Sequence, residues 1–340
     1  MAANQPSWSV EIAGQPLGAD GAALFPRSLR CEIGMDGVGR CTLDLIVPPG
    51  AALPVPGAAL TVALGPGEDP TPVFTGEIDS VRATSNGAIV SAGDALARLA
   101  NSFGAGTYSE QSPGQILGDL LAQAELSAGT LDELPALASY VLFPGLSLLH
   151  HARVLADTFG ASLFADATGK VHLLAPDTAG DNHSFSYGRD ILDLDLCHAP
   201  ATRSGVDVWG EGAASTQGSD KAHWLPDELE GVKGDADLSG DPVFASPAAL
   251  RRILVRDGAL RTGDIAGKAA TGRAAALVRR VRGSLDVAGA ATVAPGDIVA
   301  ITDLPATHPA RSLPGLDKLR VRRVRHRLDL QRGFTTRMEF

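Results

Sequence analysis

The chain has 340 residues, which is enough for two or three domains with separate hydrophobic cores. Its 39 glycines and 22 prolines favour a turn-rich β architecture over a helical bundle. A net charge of −10 argues against nonspecific binding to nucleic acid or anionic membranes, because such binding relies on an excess of Lys and Arg.

The sequence shows no membrane or export signal and no metal-type cysteine spacing. No apolar run approaches the length needed to cross a bilayer, and residues 1–14 lack the basic and apolar regions of a signal peptide. Of the three cysteines, Cys31 and Cys41 can meet across a hairpin turning at Asp36-Gly37, whereas a one-residue change of register puts them on opposite faces. We interpret them, with Cys197, as small hydrophobic side chains in a reducing cytoplasm.

Short alternating runs separated by Gly/Pro turns fill the N-terminal part. The predicted strands are Trp8–Leu17, Leu29–Ile33, Cys41–Val47, Ala59–Leu64, Val73–Arg82 and Ala88–Ala92. Asp36-Gly37 predicts a hairpin, and Asp94 predicts the N-cap of a short closing helix. Residues 1–101 are therefore predicted to form a first small antiparallel barrel or sandwich.

The middle of the chain, residues 102–187, is predicted to be a small α+β domain. Ser112-Pro113 is typical of a helix N-cap followed by proline at the first helical position. Leu146–Phe159 predicts a second helix, since its apolar residues fall on one face. Ser162–Ala165 and Lys170–Leu174 then predict a β-hairpin.

Residues 188–340 are predicted to form a second β unit. Ile191–Leu196 and Val206–Trp209 have strand patterns, and we expect residues 191–209 and 285–340 to form one sheet.

A loop and helix insertion at about 211–283 is predicted to interrupt this sheet. Gly210–Ser246 is rich in Gly, Asp, Ser and Pro and has little periodicity, which is typical of a loop. Leu250–Gly283 returns to a helical composition.

The chain ends on a predicted hairpin. From Leu319 onward apolar residues alternate, with one slip at Arg322-Arg323 that predicts a bulge or register kink. Gly333 supplies a turn, and Phe334–Phe340 predicts the returning strand. A terminus of this kind is expected to be tied into a sheet.

Catalytic and metal-binding patterns are weak. Ser147 and Ser162 lie in Gly-x-Ser sequences that lack the second glycine of a nucleophile elbow, and Ser147 stands where a helix N-cap is expected. His150 and His151 are adjacent, so their side chains diverge by about 100° around a helix, and one is expected to face the core and the other solvent. We assign no catalytic residue, no cofactor and no metal ligand.

Basic residues crowd the terminal hairpin of this otherwise acidic chain. They are Lys318, Arg320, Arg322, Arg323, Arg325, Arg327, Arg332 and Arg337. The pattern fits either a solvated strand face or a surface that pairs with acids of a neighbouring subunit. Nucleic-acid binding would require interleaved aromatic residues, and only Phe334 and Phe340 are near. The candidate interface residues are Arg320, Arg322, Arg323, Arg325, Arg327, Arg332 and Phe334.

Four stretches, taken in order, resemble a known family. They are VFTGEIDSVRATSNGAIVSAGDALARLAN, TYSEQSPGQILGDLLAQAEL, SLLHHARVLADTFGASLFADATGKVHL, and PGDIVAI with LRVRRVRHRLDLQRGFTTRMEF. Together they resemble the baseplate hub proteins of phage tails and contractile injection systems, including the late-control protein D family and the hub part of type VI secretion spike proteins.

The resemblance implies an α+β, mainly β fold with two small antiparallel tail-tube-like β-barrels and with α/β and helical insertions. It implies a homotrimer around a central channel, in which two barrels from each chain adapt a three-fold spike to a six-fold tail tube. The implied partners are a separate spike protein, since no needle domain follows the hairpin, a tail tube or tube-initiator protein, and baseplate wedge proteins. No membrane and no sequence-specific nucleic acid is implied.

The expected function is therefore architectural, not enzymatic. The resemblance implies assembly in the bacterial cytoplasm and a final place in a virion tail or injection particle. The net charge of −10 suggests an acidic lumen along which cargo slides without binding. The alternatives are a tail-associated cell-wall hydrolase and a monomeric carbohydrate-binding β protein.

Overall fold

A computed structural model describes residues 6–18, 24–35, 37–65, 69–198, 201–211, 232–238, 251–329 and 333–340 of a mainly β protein. The N-terminal elements are β1 (Ser7–Ile12), β2 (Gln15–Pro16), β3 (Phe25–Gly34), β4 (Arg40–Ile46), β5 (Ala59–Gly65), β6 (Thr71–Thr84), β7 (Gly87–Gly93) and α1 (Ala95–Ala100). The middle elements are β8 (Gly106–Gln111), α2 (Pro113–Gln123), β9 (Ala128–Leu131), β10 (Leu137–Leu142), α3 (Leu148–Thr158), β11 (Ser162–Ala165), β12 (Val171–Leu174) and β13 (Asn182–Ser186). The remaining elements are β14 (Ile191–His198), β15 (Gly205–Trp209), β16 (Lys233–Asp237), β17 (Ile253–Arg256), α4 (Gly263–Leu277), β18 (Val281–Ala288), β19 (Ile298–Thr302), a 3₁₀ turn (Pro309–Ser312), β20 (Leu319–Arg320), β21 (Arg323–Asp329) and β22 (Gly333–Glu339).

Strands from both ends of the chain form one eleven-stranded sheet. Its order is β14-β18-β22-β21-β3-β4-β7-β6-β5-β1-β2. The C-terminal hairpin β21–β22 therefore lies between β18 and the N-terminal strand β3, and it pairs antiparallel with both. The sheet curls into a half-barrel. Two separate barrels, as the resemblance implied, are not confirmed, because the strands of both end regions continue into a single sheet.

Alternating patterning gives the sheet one apolar face and one polar face. In β21, Val324, His326 and Leu328 are buried, while the arginines between them point to the other face. Leu328 packs into the core beneath the N-terminal strands, and Val324 packs into the core beneath β18 and β19. The hairpin contributes to both cores, so it holds the two end regions together.

The slip in the terminal pattern marks a change of sheet. Leu319 in β20 pairs with Val299 of β19 in a separate three-stranded sheet, whereas Arg323 begins the pairing with β3. The predicted register kink at Arg322-Arg323 is confirmed as the point where the chain crosses between the two sheets. Gly333 begins the returning strand with a φ of 74°, a left-handed conformation that glycine adopts without strain.

The helices pack around a third core in the middle of the chain. The N-caps predicted at Asp94 and Ser147 are confirmed, since each side chain accepts a backbone N–H of the first turn. Ser112 forms a full capping box with Gln115, which fixes the start of α2. Within the described ranges, no helix is long and apolar enough to cross a membrane.

The prediction that residues 191–209 and 285–340 form one sheet is correct for β14, β18, β21 and β22, and wrong for β15 and for the β19–β20 pair, which lie in two smaller sheets. β14 pairs with β18 inside the large sheet, but β15 pairs with β16 and β17 in a separate sheet packed against α4. Val206 and Val208 of β15 are buried in the core of the middle region. An alternating run predicts a strand but carries no information about which sheet it joins.

The predicted helical segment Leu250–Gly283 is too long. Within its described part, residues 251–283, the helix covers only Gly263–Leu277. Strands β17 and β18 flank it, because the β-branched and apolar run Ile253–Val255 favours a strand. Residues 212–231 and 239–250, which hold most of the predicted loop, lie outside the described residues. Within that loop, Lys233–Asp237 forms strand β16.

Candidate interface on the C-terminal hairpin

The hairpin arginines lie on the polar face of the large sheet near its middle. Arg323, Arg325 and Arg327 alternate with buried residues along β21, so all three project from one face. The neighbouring strands place acids opposite two of them: Glu339 of β22 is the register partner of Arg323, and Glu32 of β3 is the partner of Arg325. The sheet register therefore determines which charges meet.

Glu32 accepts from three arginines. Its carboxylate lies 2.9 Å from Nη2 of Arg30, 2.9 Å from Nε of Arg325 and 3.4 Å from Nε of Arg323. Partial burial by itself would raise the pKa of Glu32, but the hydrogen bonds from Arg30 and Arg325 outweigh it and lower the pKa below its ordinary value. The carboxylate therefore stays ionised and links the first and last parts of the chain.

Glu339 joins the same network from the other side. Its carboxylate lies 3.3 Å from Nη1 of Arg323 and 3.7 Å from Nη2 of Arg325. Nη1 of Arg337, also in β22, lies 3.2 Å from Oδ2 of Asp286 in the neighbouring strand β18. Much of the positive charge predicted for a partner surface is thus already matched within the chain.

Arg320 anchors the hairpin to a loop. Its guanidinium donates to the carbonyl oxygen of Thr178 at 2.8 Å and also to that of Pro176. Arg322 holds the crossing point through its backbone, since its N–H donates to Glu339 at 2.7 Å and its carbonyl accepts from Met35 at 2.9 Å. These two candidate residues make contacts within the chain.

Phe334 lies in the core, and Arg332 lies outside the described residues. The Phe334 side chain is 7 % exposed and its ring centroid lies 5.8 Å from that of His326. Arg327 is the most exposed arginine of β21, with 49 % of its side chain accessible and a 3.6 Å contact to Asp329. Among the described candidates, Arg327 is best placed to meet a partner.

The acids that neutralise the arginines were not among the residues predicted from the sequence. Glu339 could have been found, because a turn at Gly333 sets the hairpin register that brings it opposite Arg323. Glu32 could not, because its contact depends on β21 lying beside β3, a pairing between distant parts of the chain.

The two adjacent histidines separate as predicted. His150 is exposed and His151 is 3 % exposed. Nε2 of His151 lies 3.2 Å from the carbonyl of Phe143, which can only accept, so Nδ1 accepts from the hydroxyl of Tyr140 at 2.8 Å. Burial lowers the pKa of His151 and raises that of Tyr140 to about 12, so both stay neutral and serve packing.

Two histidine–aspartate pairs occur outside the hairpin. His172 donates from Nε2 to Asp166 at 2.9 Å and accepts the N–H of Thr130 at Nδ1, so both ring nitrogens are used in structure. Nε2 of His183 lies 2.8 Å from Asp297, a carboxylate that also accepts backbone N–H groups. Across the described part of the chain, no group of three or more His, Cys, Asp or Glu could hold a metal ion.

A large groove lies between the start of α2, residues 131–136 and one face of α4. Its volume is about 1340 Å³, and acids such as Glu133, Asp177 and Asp235 line it. One acid on its wall, Asp132, is engaged by the N–H of Ala175 and the hydroxyl of Thr178. The groove adds acidic surface but no arrangement that indicates a reaction.

No protein-family model matches the sequence, and no curated protein matches it significantly. Solved structures do match. The 43 kDa tail protein of prophage MuSo2 from Shewanella oneidensis superposes with a TM-score of 0.67 at 15 % identity, covering 98 % of this chain and 97 % of that one. The tail protein from Neisseria meningitidis MC58 gives a TM-score of 0.68 at 15 % identity, covering 98 % and 96 %.

The chain has the fold of phage tail proteins. A third match is the E. coli c3393 protein, described as a component of the type VI secretion system with structural similarity to the T4 bacteriophage tail proteins gp27 and gp5. It gives a TM-score of 0.57 at 11 % identity over 97 % of this chain and 75 % of that one. The resemblance inferred from the sequence is confirmed at the level of the fold.

Proposed function

We propose that this chain is a structural hub subunit of a phage tail or a related injection particle. In this proposal three copies form a ring that joins a six-fold tail tube to a three-fold spike and encloses a channel for cargo. The observation that supports it best is the eleven-stranded sheet, in which strands of the two end regions lie side by side and present one polar face. A polar, curled sheet is suited to line a water-filled channel.

The two edges of this sheet provide a means of ring closure. Among the described strands, β14 pairs only with β18, and at the other edge β2 covers only Glu11 and Ile12 of β1. Open strand edges are templates for pairing with another chain. We infer that β14 of one copy lies beside β1 of the next, a head-to-tail contact that closes a ring when the rotation per subunit fits.

The exposed hairpin arginines are proposed to contact an acidic surface of a partner. Arg327 is the register partner of Arg30, and like charges directly opposite each other on neighbouring strands are unfavourable. Glu32 and Asp329 offset part of this repulsion within the chain, and an acidic residue from a neighbouring subunit, a spike protein, a tube-initiator protein or a baseplate wedge protein would offset it further. Arg320, Arg322, Arg323 and Arg325 would then act mainly by holding the hairpin in place.

The polar face offers no continuous basic track to a polyanion. Arg325 and Arg337 are register partners, but Glu32 and Asp286 flank this pair on the two outer strands, and Glu339 is the partner of Arg323. With a net charge of −10 on the whole chain, we propose that cargo passes along this face without being held. Assembly in the bacterial cytoplasm into a virion tail or injection particle belongs to the same proposal.

Negative-stain electron microscopy of the purified chain tests the hub role. Rings with a central hole and three-fold symmetry are expected, and solid compact particles would argue for the monomeric carbohydrate-binding alternative. The hydrolase alternative has its own test, a zymogram on peptidoglycan. No clearing is expected, and clearing that persists in independently purified preparations would replace the structural role with an enzymatic one.

A further inference from the structure

Cys31 and Cys41 face each other directly across the β3–β4 hairpin. They are register partners, their Sγ atoms lie 3.3 Å apart, and both are at most 1 % exposed. The sequence left open whether they share a face, and the register places both in the core beneath the N-terminal strands. Cα atoms of directly opposed residues in an antiparallel pair lie about 4.5 or 5.5 Å apart, within the range that a disulfide spans.

Little movement separates these thiols from a covalent bond. A disulfide sulfur pair is about 2.05 Å apart, so the two Sγ atoms need to approach by roughly 1.2 Å, which small side-chain rotations can supply. Free cysteines are often buried simply as small hydrophobic side chains, but packing alone does not require two of them in direct register. Two cysteines in this arrangement are able to form a disulfide, which a Cys–Ala pair is not.

We propose that Cys31 and Cys41 are a site of intramolecular disulfide formation, with a small-molecule disulfide such as oxidised glutathione as the electron acceptor. One cysteine thiolate attacks the small disulfide, forms a mixed disulfide and releases one small thiol. The second cysteine thiolate attacks the protein sulfur of that mixed disulfide and releases the other small thiol. The two protons lost by the cysteines end on the two small thiols, and the bond closes the β3–β4 hairpin covalently.

Burial makes the redox state persistent once the protein has folded. Burial raises the pKa of the Cys31 thiol, and its hydrogen bond to Cys41 raises it further, so the reactive thiolate is scarce in the folded state. The same burial shields a formed disulfide from external thiols. The bond therefore forms only when the chain folds, or its hairpin opens, in the presence of the small disulfide, and the redox state set at that moment is retained.

Refolding in glutathione buffers tests the proposal. The full-length Cys197→Ser variant, which removes the exposed third cysteine, is unfolded and refolded in buffers with different ratios of oxidised to reduced glutathione. Remaining thiols are alkylated, and intact-mass and peptide mapping locate the bond. The refolded protein is expected to lose two hydrogens, gain no glutathione, link Cys31 to Cys41 and melt at a higher temperature than the reduced form. Refolded protein that keeps both thiols free in oxidising buffer, or a linked form that melts lower, would overturn the proposal.

A second measurement tests the persistence. In the folded, reduced wild-type protein, diluted until it is monomeric, a maleimide should label Cys197 at once and label Cys31 and Cys41 roughly a hundredfold or more slowly. Native protein placed in oxidised glutathione should form the Cys31–Cys41 bond only at that slow rate. Rapid labelling of either buried thiol would contradict the inferred persistence of the redox state after folding. Cys31→Ala and Cys41→Ala are the matched controls, and neither should show the linked species or its higher melting temperature.

Discussion

Arg325 and Glu32 are separated by 293 positions in the sequence, yet Nε of Arg325 lies 2.9 Å from a carboxylate oxygen of Glu32. The contact exists because β21 of the C-terminal hairpin pairs with β3 of the N-terminal region. It ties together the two parts of the chain that are predicted from the sequence to form separate β units. The large polar sheet, and with it the proposed hub role, depends on this junction.

Replacing Glu32 with glutamine should weaken the junction. Three arginines lose their shared counter-charge in a partly buried setting, and we expect a loss of about 1 kcal/mol or somewhat more in the free energy of unfolding. Urea unfolding measures the change. The matched control is Glu77→Gln, which disrupts a more exposed pair with Arg98 and should cost at most about 0.5 kcal/mol. Equal effects of the two variants would contradict a special role for Glu32.

His326 should make the protein less stable in mild acid. Burial lowers its pKa to about 4, so the folded state keeps the ring neutral while the unfolded chain protonates near pH 6.5. Between these pH values the unfolded chain binds a proton that the folded state does not. The free energy of unfolding is therefore highest above pH 6.5 and falls as the pH drops to about 4, by about 3 kcal/mol at most. Unfolding of the His326→Gln variant should show a smaller loss of stability over this window. The exposed His150→Gln variant should follow the wild type, and a His326→Gln profile parallel to the wild type would refute the assignment.

Asp94 should stabilise the start of α1 as its N-cap, although ionisation of its buried carboxyl group lowers the free energy of unfolding. Its carboxylate accepts the N–H groups of Gly39 at 2.7 Å and Leu96 at 2.9 Å, so Asp94→Ala should cost about 1 to 2 kcal/mol. Burial raises its pKa to about 7 despite these bonds, so its contribution is greatest below the ordinary value of 3.8 and declines as pH rises to about 7.

The Asp94→Asn variant does not titrate, and its single carboxamide oxygen can accept only one of the two N–H groups, that of Leu96 or that of Gly39. Its stability relative to the wild type should improve from pH 4 to pH 7 and then level off, which thermal melts across pH can follow. A difference between Asn and wild type that does not change with pH would show that the carboxylate is ionised in the fold at no cost.

Leu192 tests the proposed ring contact. It lies on edge strand β14 with 60 % of its surface exposed, where an introduced lysine should block pairing with another strand. Leu192→Lys should weaken self-association by tenfold or more, which sedimentation velocity measures from the amounts of monomer and oligomer. A thermal melt should show that the melting temperature of the monomer is unchanged. The matched control is Leu254→Lys on β17, 68 % exposed in a sheet outside the proposed contact, which should assemble normally. Undiminished assembly of Leu192→Lys would remove β14 from the interface.

Features set by neighbouring residues could be predicted from the sequence. The caps at Ser112 and Ser147, the β3–β4 hairpin and the terminal turn at Gly333 all depend on a few adjacent positions, whereas the exact register that brings Cys31 opposite Cys41 stayed open. Their side-chain chemistry and spacing determine them locally.

Features that join distant segments could not be predicted in the same way. The placement of β21 beside β3 and the assignment of β15 to a separate sheet depend on which buried faces fit together in three dimensions. Val206 and Val208 have the alternation of any half-buried strand, and nothing in that period names the partner. The arginines of the candidate interface are neighbours in the sequence and could be found there. Glu32 could not, because its contact with them depends on the pairing of two distant strands.

The oligomeric state in solution tests the central claim most directly. Native mass spectrometry of the full-length chain, over a range of protein concentrations, should find a species of three times the chain mass that is abundant at the higher concentrations. A chain that stays monomeric throughout, or that forms only two-fold dimers, would contradict the proposed three-subunit ring.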